Sequence, residues 1–199
     1  MKPLVVAMTG ASGAPYAIRL LELLAGSKIP VHLTISPAGA QVLKQESNRD
    51  LDLDHFEPGQ LLPRDVTFEN LVYHDYRDFM VPIASGSFQT RGMVVVPCSG
   101  STLGGIASGA SSNLIHRAAE VHLKESRKLV LVTRETPLSL IHINNLKTVA
   151  EAGATVLPAM PGWYHGVKST EDLVDFVVAR ILDQFDIQNQ LIHRWGDRR

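Results

Sequence analysis

The chain has 199 residues, 45% of them hydrophobic and 20% charged, with a formal net charge of −1. That length and apolar content suit one domain with its own core and exclude a disordered chain; the near-zero charge gives no reason to expect nucleic acid or an anionic membrane surface as a partner. A single cysteine, Cys98, rules out an internal disulfide and a cysteine-rich zinc site.

The N-terminal segment MKPLVVAMTGASG holds an apolar run too short to span a bilayer, and it leads into a glycine turn, not a cleavage pattern. The expectation is a soluble cytoplasmic protein with no membrane segment. Leu4–Met8 reads as a buried strand, and residues 16–25 as a helix with Ile18, Leu20, Leu21 and Leu24 inward. Val31–Ile35 is the next strand and residues 38–45 the next helix. Residues 47–88 break this rhythm, being polar around Pro58, Gly59 and Pro63 and then aromatic. They read as an insertion with a short strand near 66–73. Further strands are expected at 93–96, 129–132 and 155–157, and helices at 113–124, 138–152 and 170–185. Continuous Val/Leu/Ile runs between helices predict a parallel sheet covered on both faces. The fold class is therefore α/β, a Rossmann-like doubly wound sheet, with residues 1–199 as a single domain.

In such a sheet, ligands bind beyond the carboxyl ends of the strands. Five predicted strand ends carry small or polar residues: Thr9 to Ala14, Ser36, Pro97 to Thr102, Arg134 to Pro137, and Pro158 to Tyr164. The first glycine turn lets backbone approach a ligand, and the next helix offers its positive N-terminus to an anion. Ser36, Ser99, Gly100, Ser101 and Thr102 add hydroxyls and a glycine suited to the phosphate of a nucleotide cofactor. The cations available for a phosphate are Arg117, Lys124, Arg134 and Arg180, with Arg117 and Lys124 on one helix face. Arg134 and Glu135 form a charged pair at a sheet edge, which is costly unless paired or used. The eight histidines show no metal-ligand spacing and read as structural or surface residues; no metal is expected. Cys98 reads as a small packing residue.

A NAD(P)-dependent short-chain-type reductase is the rival reading, since Thr9 to Gly13 and the Tyr164…Lys168 pair resemble that class. Three features oppose it. Ala14 and Tyr16 stand where further glycines belong. The second strand ends in Ser36 without an acidic residue for a ribose hydroxyl. Tyr164 lies in a loop between Gly162 and Gly166. A non-enzymatic flavin-binding module would leave Glu135 beside so many cations unexplained.

Taken in order, MTGASGA, the Pro97-Cys98-Ser99 turn, NLIHRAAEVHLKE, RETP, PGWY and the closing RWG resemble the flavin prenyltransferase family, formerly described as aromatic-acid decarboxylases of the ubiquinone pathway. The resemblance runs from Met8 to Trp195. It implies reduced FMN near Gly10, Ala11, Ser12, Ser36, Ser99, Gly100, Ser101, Thr102 and Arg134. It implies dimethylallyl monophosphate held by Gly86, Lys124, Arg134, Tyr164 and Arg180, with Arg117 among the neighbouring cations and Trp195 beside the allylic group. Glu135 matches the residue that handles a proton on the phosphate, and Ser12 with Glu46 matches a proton relay at the flavin. The product, prenyl-FMN, would serve a UbiD-type decarboxylase. Members form homo-oligomers, typically dodecamers, with sites at subunit contacts, and the small residues from Gly104 to Ser112 would allow close helix packing. Phe79 stands where many members carry tryptophan.

Overall fold

The apolar runs lie in the middle of an all-parallel sheet. A computed structural model describes residues 1–199 apart from 64, 65, 67, 165, 195 and 197–199. Its strands are β1 (Leu4–Met8), β2 (Val31–Ile35), β3 (Leu71–Asp75), β4 (Gly92–Cys98), β5 (Leu129–Thr133) and β6 (Thr155–Val156), in the order β3-β2-β1-β4-β5-β6. Every residue of β1 and β4 is buried, because helices cover both faces. Alternate β1 side chains feed two cores. Leu4, Val6 and Met8 pack with α1 (Ala14–Ala25) and α7 (Thr170–Gln184). Val5 and Ala7 join the core under α4 (Gly100–Ser108), α5 (Leu114–Lys124) and α6 (Leu140–Glu151). The remaining helices are α2 (Pro37–Ser47) and the short α3 (Pro58–Leu61). Among the described residues, no helix is long and apolar enough to cross a membrane.

From β1 the chain winds to β3 on one side, and from β4 to β6 on the other. The loops after β1 and β4 therefore part and leave a crevice at the carboxyl edge, the usual ligand position in such sheets.

Two local expectations change. The strand expected within residues 47–88 is β3, which pairs in register with β2 from Val31↔Leu71 to Ile35↔Asp75. The strand lies later than 66–73 because the apolar Val66 and Phe68 pack onto the α1/α7 core from the preceding segment. The stretch after Cys98 is helix α4 and not only loop. Its glycines give it little intrinsic helix propensity, but Ser99 caps it through the Thr102 amide. Gly105 is required there: a Cβ at that position would sit 2.4 Å from the His116 ring. The small residues thus serve close packing of α4 on α5 inside one chain.

Candidate active site at the carboxyl edge

Thr9 ties the two central strand ends together. Its hydroxyl donates to the Pro97 carbonyl (2.7 Å) and accepts from the Ser99 amide (2.8 Å). Gly10 follows, pressed so closely on α2 that a Cβ would stand 2.5 Å from the Ala38 Cβ. Gly13 has φ +131°, a region L side chains rarely adopt. Ser36 and Ser99 are the N-caps of α2 and α4, their hydroxyls accepting from the Gly39 and Thr102 amides. The Ser99 hydroxyl also meets those of Ser101 (3.1 Å) and Thr102 (3.0 Å).

The helix α2 lies along this edge: near its start Gly39 abuts the Met8 carbonyl, and near its end Glu46 reaches the start of α1. The Glu46 carboxylate accepts from the Gly13 (3.0 Å) and Ala14 (2.9 Å) amides and from the Ser12 hydroxyl. Burial alone would raise its pKa. The bonds from Ser12, Gly13 and Ala14, with the charge of Arg134, hold it below the ordinary carboxylate value. This corrects one sequence expectation, because two amides at the α1 N-terminus are taken by the chain's own carboxylate and are not left for a ligand anion. The Ser12–Glu46 contact itself was expected and is present.

Arg134, just past β5, points back across the sheet, and its Nε donates to the Ser12 carbonyl at 3.3 Å. It spans the loops after β1 and β5. Beside it lies a cavity of about 250 Å³ walled by Gly100 and Leu103 from α4, Arg134 and Glu135 from the end of β5, and His142 and Leu146 from α6. Cys98 also borders it, and burial pushes this thiol up to about 12. It is no thiolate nucleophile at neutral pH, in keeping with a packing role.

Gly10, Ala11, Ser12, Ser36, Glu46, Ser99, Gly100, Ser101, Thr102, Arg134 and Glu135 thus share the carboxyl edge. Tyr164, beyond β6, makes an edge-to-face contact with Phe176. The other cations lie elsewhere. Lys124 ends α5 beside Gly86, where a Cβ would be 2.9 Å from its Nζ, and this is the amino edge that leads into β4 and β5. The strand β4 has seven residues, so Gly86 and Lys124 stand roughly 20 Å from Glu135 in one chain. Arg180 is exposed and paired with Asp183 on α7, whose end also reaches the amino edge through the Arg91–Phe185 contact. Arg117 donates to the Ala84 carbonyl and pairs with Glu120. Trp195 lies outside the described residues. Sequence reasoning overlooked His142, which was read with the other histidines as structural or surface; its one signal was the Ser139-x-x-His142 spacing of a helix cap. Among the described residues, no group of three or more His, Cys, Asp or Glu side chains is placed to hold a metal.

The Flavoprotein family model matches residues 1–182. The chain is 47% identical to flavin prenyltransferase UbiX of Halalkalibacterium halodurans, covering 98% of this chain and 93% of that one. Its fold superposes on AnUbiX in complex with FMN and dimethylallyl pyrophosphate with a TM-score of 0.87 at 40% identity, covering 100% and 99% of the two chains. A dodecameric FMN-dependent UbiX-like decarboxylase from Escherichia coli gives a TM-score of 0.86 at 39% identity, covering 98% and 100%.

Proposed function

The chain belongs to the flavin prenyltransferase family, and from that premise we propose that it joins the dimethylallyl group of dimethylallyl monophosphate to N5 and C6 of reduced FMN. The prenyl-FMN so made would serve a separate UbiD-type decarboxylase, and the work would be done in the cytoplasm, where the one thiol stays reduced. The observation that carries this reading is the meeting of two unlike parts at one edge. One is a polar cradle of Gly10, Ser12, Ser36 and Ser99, closed by Arg134; the other is a mainly apolar cavity with a single carboxylate, Glu135. A nucleotide cofactor with a polar tail and a flat ring needs both. A reductase would need an acidic residue after β2, where Ser36 stands instead as a helix cap.

When bound, reduced FMN supplies the two nucleophilic ring positions. The chain supplies the rest. Arg134 offsets the negative charge of the phosphate as the allylic C–O bond breaks. Glu135 carries a proton to or from the phosphate and then at ring closure. Ser12, hydrogen-bonded to Glu46, moves protons at the flavin.

Lys124, Gly86 and Arg180 fit this scheme only as contributions from neighbouring copies, because in one chain they lie across the sheet from Glu135. The apolar surface around the site supports such packing. Leu140 and Ile141 are each 71% exposed at the start of α6, and Met160, which lines the cavity, and Trp163 are exposed after β6. The E. coli relative is dodecameric, and this chain is read as a homo-oligomer of the same kind.

Protein purified from cells and then denatured should release FMN in near-stoichiometric amount. Release of a nicotinamide nucleotide instead would overturn the reading.

A further inference from the structure

His142 stands in the cavity wall with Nδ1 engaged in the helix cap and Nε2 turned toward Gly100. At the start of α6, Ser139 and His142 form a reciprocal cap: the Ser139 hydroxyl accepts from the His142 amide, and the Ser139 amide meets His142 Nδ1 at 3.3 Å. A backbone amide can only donate, so Nδ1 accepts there, with the Ser139 hydroxyl also 3.2 Å from it and able to donate to the same atom, and the ring N–H is placed on Nε2. That Nε2 faces Gly100. A Cβ built on Gly100 would be 3.0 Å from His142 Nε2 and 3.5 Å from Glu135 Oε2. A donor and a carboxylate oxygen therefore flank one point beside the Gly100 Cα, separated by no more than those two lengths together. The missing side chain of Gly100 leaves that point open.

The other titratable groups bordering the cavity are Arg134, which is turned toward Ser12 and Glu46, and the buried Cys98 at the end of β4. The α4 wall and the segment after β6 present none. Thr133 and Thr136 add hydroxyls to this wall, and the Thr136 amide donates to Glu135 Oε1 at 3.2 Å. Among the described residues lining the cavity, His142 is the one imidazole, and it approaches the other carboxylate oxygen, Oε2, from across Gly100.

We propose that His142 is a positioning residue for this reaction: its Nε2–H, set as a donor by the helix cap, holds the Glu135 carboxylate in place across Gly100 through one water. Held in this way, the carboxylate keeps one orientation toward the cavity. The helix cap thereby sets the geometry of the proton-handling group. This rests on Glu135 having the role given above.

Two variants separate this from a mere helix cap. His142→Asn keeps a short acceptor for the Ser139 amide but cannot reach Glu135. His142→Gln places an amide donor near the position of Nε2. With reduced FMN and dimethylallyl monophosphate, H142N should lose about 10- to 100-fold in kcat, the usual weight of a hydrogen bond to a charged group. Its KM should change little and its FMN should stay bound. H142Q should recover most of the loss. In the Glu135→Gln background H142N should cost almost nothing more, because the two act as one unit. Wild-type kcat in H142N would overturn the proposal. So would equal losses in both variants accompanied by a fall in melting temperature, or an additive loss on Glu135→Gln. Full activity of Glu135→Gln alone would remove the Glu135 reading itself, a different failure.

Discussion

Glu135→Gln should slow prenyl transfer by roughly 10²–10⁴, the span over which general acid–base groups act, while FMN remains bound. The substitution keeps the size of the side chain and the packing of the cavity that Gly100, Leu103 and Leu146 wall. It removes only the ability to carry a proton. The Glu135 carboxylate contacts the Thr136 amide locally (3.2 Å) and is exposed at the cavity mouth, so no structural ion pair is lost with it. Single-turnover measurement of product formed on the enzyme checks this. A variant as fast as the wild type would leave Glu135 without a chemical role.

The second large effect is at Arg134. Arg134→Ala removes the contact to the Ser12 carbonyl and the charge facing Glu46. A charge-assisted bond to a phosphate contributes about 1.5–3 kcal/mol, so catalytic efficiency with the prenyl phosphate should fall about 10- to 100-fold. FMN occupancy should fall too, because the same side chain joins the loops that cradle it. Arg180→Ala should instead weaken only prenyl-phosphate use. A pH signature accompanies the change. Glu46 has a depressed pKa in the folded protein, so its stabilising contribution is present above the ordinary value of 4.5 and lost as pH falls through the lower, folded value. Without Arg134 the depression shrinks, and the fall in stability below pH 4.5 that belongs to Glu46 should become smaller. Unchanged FMN occupancy and unchanged efficiency would contradict the assignment.

The parts of the fold that were readable from sequence are those governed by burial. The runs of β1 and β2 have no polar residue that a covered parallel strand would refuse except His32 and Thr34, and their limits agree with the structure. His32 finds its partner in His74 across β2 and β3 (2.7 Å), where burial pushes His74 down to about 4 and keeps it neutral. The helix α4 was not readable, since its GSTLGGIAS sequence resembles a loop until His116 and the Ser99 cap are placed around it. The strand β3 was misplaced because Val66 and Phe68 have strand-like side chains that serve the core from outside the sheet.

The site was legible where strand ends carry the chemistry, as at Gly10, Ser12, Ser36, Ser99 and Arg134. It was not legible where a side chain arrives from a distant element. Glu46 came from family resemblance alone, and its bonds to Gly13 and Ala14 span more than thirty residues. His142 was hidden because a histidine three residues after a serine reads first as a helix cap, which it also is. That Lys124 and Gly86 lie on the far edge follows from where α5 ends, a fact of topology that spacing within one helix does not reveal.

The most direct test of the account is the reaction itself. Reduced FMN, dimethylallyl monophosphate and the protein are mixed anaerobically with a chelator present, and the flavin is analysed by mass spectrometry alongside an assay for inorganic phosphate. The account predicts a flavin enlarged by one five-carbon prenyl unit and a matching amount of phosphate. Unaltered flavin, or direct decarboxylation of an aromatic acid by this chain alone, would contradict it.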